Sequence, residues 1–203
     1  MKKVTNYMLL IIIVIFLGCK EKLKPLQYAQ FVQGKESGLM KVITVDNWDF
    51  VFQYKPYDYI LLMEQRTKDP DFNFKKRMEN LKGTAWFNIS VRRSDGNISP
   101  MRYNLGSNEE YNQRLNYFLN EAVKNIRLIY DKKDTLMPMA YEFENNYNLS
   151  PQETMLVGFK LPKDEYYPKK AMQLTYDDQI FGNGTIKAMF STDNLKKIPA
   201  LID

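Results

Sequence analysis

The chain has 203 residues, 44% hydrophobic and 26% charged, with a formal net charge of +5, which suits one domain with a sizeable apolar core. A single cysteine and no histidine exclude an internal disulfide, serine-histidine and cysteine-histidine nucleophiles, and histidine-ligated zinc. The basic residues form no concentrated stripe, which argues against a nucleic-acid partner.

Lys2 and Lys3 open the chain, and Met8 to Leu17 (MLLIIIVIFL) form an unbroken apolar run before Gly18 and Cys19. A membrane-spanning helix needs about 18 apolar residues. This shorter run with a basic flank has the proportions of a secretory signal segment. Its end, Phe16-Leu17-Gly18-Cys19, resembles the lipobox of bacterial lipoproteins, with phenylalanine where leucine is more usual. That resemblance implies cleavage between Gly18 and Cys19 and covalent lipid on Cys19. Two or three acyl chains anchor durably where one holds only marginally, so no other part of the protein need touch the bilayer. Residues 1–18 are thus read as signal peptide, 19–27 as a lipidated tether (Cys19-Lys20-Glu21-Lys22-Leu23-Lys24-Pro25 and on), and 28–203 as one globular domain. The Lys20-Glu21 start resembles the surface-export signal of Bacteroidota lipoproteins, which is usually richer in acidic residues. Asp134-Thr135-Leu136 looks like the O-glycosylation motif of the same phylum, which makes Thr135 a candidate acceptor.

Leu39 to Val45, Asp46-Asn47, and Trp48, Phe50, Phe52 and Tyr54 alternating with polar residues read as a hairpin with a period-two aromatic face. Core filling is the simplest role for those rings, although a carbohydrate-stacking platform has the same pattern. Lys55-Pro56 ends the strand and starts a short helix over 56–65, because proline is tolerated in a first helical turn. The stretch to Gly83 reads as an exposed connection with one helical turn. Thr84 to Arg92 is a strand with Ala85, Phe87, Ile89 and Val91 inward, closed by the turn Ser94-Asp95-Gly96-Asn97.

Ser107 and Glu110 stand at capping-box spacing, opening a helix over about 107–123 with Tyr111, Leu115, Phe118, Leu119 and Ala122 on one face. Strands follow at Ile126–Tyr130, Thr135–Glu144, Met155–Leu161, Met172–Asp177 and Thr185–Phe190, then a turn of helix at Ser191–Lys197. The expected fold is α+β and β-rich: an antiparallel sandwich or open barrel with one substantial helix packed on it.

The sequence assigns no catalytic and no metal-binding residue, and no cofactor beyond the lipid on Cys19. Asp177-Asp178 before a glycine loop lacks the ligand spacing of a calcium loop, and Glu109-Glu110 are explained by the helix dipole. Trp48, Tyr54, Tyr57, Tyr59, Trp86, Tyr166 and Tyr167 form a candidate interaction patch, since such rings suit surfaces half apolar and half wet. The functional expectation is a lipid-anchored, non-enzymatic accessory subunit that binds another outer-membrane or envelope protein. The alternative is a lipoprotein that binds carbohydrate through exposed aromatics.

Overall fold

The computed structural model describes residues 21–67, 72–147 and 149–202. Gly18 and Cys19, the expected processing and lipidation positions, lie outside them. The hairpin read from the aromatic alternation is present as β2 (Met40–Val45) and β3 (Trp48–Lys55), turning at Asp46 with φ of 50°. On β3 the inward residues Trp48, Phe50, Phe52 and Tyr54 are all buried. The next strand, β4 (Thr84–Arg93), buries Ala85, Phe87, Ile89 and Val91 on the same face. With β7 (Ala140–Glu144) and β8 (Gln152–Lys160) these make a five-stranded antiparallel sheet in the order β2-β3-β4-β8-β7.

The second sheet has four antiparallel strands, β10 (Gly184–Phe190), β9 (Met172–Asp178), β5 (Ile126–Tyr130) and β6 (Asp134–Leu136), in that order. The two sheets face each other across one shared core and do not close into a barrel. Rings cross between the layers: Phe87 meets Phe190 at 5.3 Å between centroids, Tyr54 meets Phe190 at 6.5 Å, and Phe50 meets Tyr176 at 6.2 Å. Removing one such ring costs about 3–5 kcal/mol, because the lost transfer energy is joined by a cavity.

The substantial helix starts as expected. Ser107 Oγ accepts the Glu110 amide at 3.2 Å, while the Glu110 carboxylate reaches back to the Gly106 amide at 2.8 Å. It runs as α4 (Asn108–Asn116), then widens into a π turn (Tyr117–Glu121) and tightens into a 3₁₀ turn (Ala122–Asn125). In the π turn the Ala122 amide bonds Tyr117, five residues back, which frees the Phe118 carbonyl from its usual α-helical donor. The Tyr141 hydroxyl on β7 donates to that carbonyl. Phe118 and Ala122 are fully buried and Tyr111 and Leu115 pack against the core, but Leu119, expected on the same face, is 46% exposed. It sits on the flank of the stripe, and the wider turn does not bring it inward.

Four expectations need correction. First, Pro25–Gln33 is a helix (α1) that buries Tyr28, Ala29 and Val32. Just before it, β1 (Lys22–Leu23) pairs in parallel with β11 (Ala200–Leu201), so residues 22–27, read as tether, are part of the fold. Second, α2 (Tyr57–Gln65) is present, but the supposed exposed connection after it contains α3 (Phe74–Leu81), capped by Asn73 and seated by buried Leu81. Third, the single strand expected over Thr135–Glu144 is two strands in different sheets, parted by Met137-Pro138-Met139; proline cannot donate to a ladder. Fourth, β8 begins at Gln152, three residues earlier than read. The last helical turn, α5 (Thr192–Lys196), is capped by Ser191.

Gly158 of β8 stands opposite Trp86 of β4, and a Cβ there would lie 2.9 Å from the indole ring. Gly158→Ala is therefore expected to lower stability by about 1–3 kcal/mol, the usual cost of overpacking a rigid neighbour. Thermal unfolding followed by circular dichroism measures it, and an unchanged midpoint would show that the ring has room to move.

Candidate functional site

The residues expected to form one interaction patch are divided between core and surface. Trp48, Tyr54 and Tyr59 are 5%, 1% and 6% exposed and belong to the core, so they are withdrawn as surface candidates. Their places on the inner strand face and on the inner side of α2 dictate this. Tyr59 also accepts a hydrogen bond from Gln33 Nε2 at 2.8 Å, tying α1 to α2.

Trp48 is closed over by loops. Phe181 stacks on it at 3.8 Å and Tyr103 meets it edge-on at 5.1 Å, with the Arg93 guanidinium 4.5 Å from the Tyr103 ring centre. Asp178 holds the loop that carries Phe181: its carboxylate accepts the amides of Ile180, Phe181 and Asn183 and the Asn183 side-chain amide, at 2.7–3.2 Å. Local backbone donors thus occupy this acid, which accounts for the Asp177-Asp178 motif as a turn. Among the described residues, no three or more Asp, Glu, Cys or His side chains are grouped so as to hold a metal ion.

Tyr57, Tyr166 and Tyr167 are brought together and half-buried, with Tyr57 5.0 and 4.9 Å from the other two rings. The Tyr166 hydroxyl donates to Glu79 at 2.8 Å, and the Tyr167 hydroxyl donates to Asp58. Burial, then the Asp58 charge, pushes the Tyr57 phenol up to about 12, so these rings act as neutral hydrogen-bond donors at any ordinary pH. The cluster locks the segment after β8 onto α2 and α3.

Two concave places adjoin these helices. A cavity of about 140 Å³ lies between α2, α3 and the outer face of the five-stranded sheet, lined by Lys55, Ile60, Met63, Arg77, Trp86 and Leu156. Trp86 is half-buried there, its Nε1 donating to Thr84 Oγ1 at 2.9 Å. Lys55 donates to Asn88 at 3.3 Å, and burial lowers its ammonium below the ordinary lysine value. Arg77 is held by Glu64 in a bidentate pair at 2.8–2.9 Å. The larger place is a groove of about 530 Å³ lined by Pro25, Leu61, Leu62, Phe74, Leu201 and Ile202, with Asp58 at its edge.

None of the groove residues was singled out from sequence. The signal that could have found them is the one used at Pro56: Lys24-Pro25 followed by apolar residues at helical spacing. Thr135 is exposed on β6 and open to modification.

One buried carboxylate lies apart from these surfaces. Glu153 of β8 is 1% exposed and accepts from Ser99 Oγ at 2.7 Å and Asn146 Nδ2 at 3.2 Å, joining the loops at that end of the sandwich. Burial pushes its carboxyl above the ordinary glutamate value, and the two donors offset only part of that. A folded-state value above the unfolded one means that the native state binds the extra proton. Stability from this group is therefore present at low pH and lost as pH rises through its folded value. Urea unfolding should show the native protein losing stability relative to Glu153→Gln as pH rises from the ordinary glutamate range toward neutrality. Parallel curves for the two proteins would remove the linkage.

No family model matches the sequence, and no curated protein matches it. Among solved structures, the chain is similar to a protein of unknown function from Burkholderia pseudomallei, at 9% identity and a TM-score of 0.39, over 87% of this chain and 93% of that one.

Proposed function

We propose that this chain is an exported, lipid-anchored envelope protein of the outer membrane, working as a non-catalytic accessory subunit that binds another envelope protein. The observation that carries the reading is the sequence Lys2 to Cys19: a basic start, a short apolar run and a small residue before the sole cysteine. The fold is compatible with it, because pairing begins at Lys22, three residues after Cys19, and holds the domain close to its attachment point.

For the folded part, burial of Trp48, Tyr54 and Tyr59 weighs against the carbohydrate-stacking alternative, since those rings offer no free face. Exposed apolar side chains weigh for a protein partner. Met137 and Met139, on the crossing between the two sheets, are 55% and 49% exposed. Methionine is an adaptable contact residue, over-represented at surfaces that bind proteins.

Cys19→Ser should abolish labelling by a fatty-acid probe and leave unprocessed precursor; unchanged labelling would contradict the anchor. Affinity capture of the tagged protein in mild detergent should return a defined membrane protein. The double variant Met137→Asp, Met139→Asp should reduce its recovery about tenfold, or about 1.4 kcal/mol, without shifting thermal unfolding. A clean monomer with no co-isolated membrane protein would contradict the accessory reading.

A further inference from the structure

The parallel bridge of β1 and β11 fixes where the amino-terminal part of the chain leaves the fold. The Ala200 amide donates to the Glu21 carbonyl at 2.8 Å, and the Ile202 amide to the Leu23 carbonyl at 2.9 Å. Only Lys20 separates Glu21 from Cys19, so Cys19 lies within roughly 7 Å of Glu21 along even a fully extended chain.

β11 is also a wall of the 530 Å³ groove, which it shares with the start of α1, the inner side of α2 and the first residue of α3. The groove has an apolar rim that the fold leaves open at Phe74, 41% exposed, and Ile202, 40%, and Leu26, next in sequence to the lining residue Pro25, is 69% exposed. Leu26 faces out while Tyr28, Ala29 and Val32 of the same helix face the core. Exposed lysines border this rim in sequence, Lys22 and Lys24 before Leu26, and Lys75 and Lys76 directly after Phe74.

An acylated Cys19 is seated at the edge of the hydrocarbon core, and the polar layer outside it is only about 5 to 8 Å thick on each side. A tether of about that same length keeps the adjoining end of the domain at the outer boundary of that layer. We infer that the groove between α1, α2, α3 and β11 is a second membrane contact: Leu26, Phe74 and Ile202 enter the headgroup boundary of the bilayer that holds Cys19, and the flanking lysines meet acidic headgroups. Exposed apolar side chains with neighbouring lysines are the composition of interfacial anchors. The inference rests on acylation of Cys19 and adds to it an orientation, with the groove toward the lipid and the Trp48 end of the sandwich away from it.

The test uses the full, processed lipoprotein in vesicles of phosphatidylethanolamine and phosphatidylglycerol. Cys19 is the only natural cysteine, and acylation blocks its thiol, so an introduced cysteine is labelled uniquely. An environment-sensitive dye is placed in turn at Leu26→Cys, Phe74→Cys and Ile98→Cys, the last an exposed site beyond the far end of β4. The expected result is a blue shift and quenching by shallow spin-labelled lipid at residues 26 and 74, with water-like emission at 98. Intact mass of the same samples reports acylation separately. Water-like emission at 26 and 74 on acylated protein overturns the second contact and leaves the anchor standing. A blue shift that lipid quenchers do not touch and that grows with protein density assigns the groove to a second copy, and also overturns it. Absence of acyl mass overturns the anchor and this inference together.

Discussion

Phe87 sits between Tyr54 beside it on the same sheet and Phe190 on the facing one, at 5.4 and 5.3 Å, with Phe159 at 6.0 Å. The rest of the molecule depends on this interlayer packing. Each ring deleted from such a site costs about 3–5 kcal/mol against a total stability that is only about 5–15 kcal/mol for a typical domain. With one cysteine in the chain there is no internal cross-link to share the task. The tilted and edge-on ring geometries add a smaller, directional increment, about 0.5–1.5 kcal/mol per pair beyond the area buried.

Once the two faces are committed to each other, the ends of the sandwich must be closed, and the two ends are closed differently. At the Trp48 end polar devices do it. Asp178 gathers backbone amides and lays Phe181 on Trp48, Arg114 bonds the Pro100 and Tyr103 carbonyls at 2.6 and 2.8 Å, and Glu153 joins Ser99 to Asn146. The other end is covered by α1 and α2, while α3 packs on α2 over the outer face of the five-stranded sheet, held by the Tyr57 cluster and the Arg77 to Glu64 pair. These short helices bury one side and leave an apolar seam beside β11. The seam lies where the chain comes in from Cys19, and this coincidence links the architecture to the proposed anchoring.

The period-two strands were legible because alternation survives burial: Trp48 to Tyr54 and Ala85 to Val91 carry their inward face in plain order. The Ser107 cap and the Asp46-Asn47 turn were legible because their chemistry is local. What was not legible depended on partners distant in sequence. α1 is short and follows a charged stretch that reads as linker, and α3 has a polar sequence (FKKRMENL) whose one buried residue is Leu81. β6 and β7 form a continuous β-forming run that only Pro138 and the separation of the sheets divide. Of the proposed patch, Tyr57, Tyr166 and Tyr167 do meet, whereas Trp48, Tyr54 and Tyr59 are core. Tyrosine content cannot tell a rim from an interior, because the distinction lies in which face of which strand or helix turns inward.

The central claim is that this sandwich is carried at the membrane by lipid on Cys19, close enough for its groove to meet the bilayer. The most direct measurement is mass spectrometry of the mature amino-terminal peptide from purified membranes. The account predicts a peptide that begins at Cys19 and carries the mass of two or three acyl chains. A mature protein that begins elsewhere, or that begins at Cys19 with a free thiol, would contradict it.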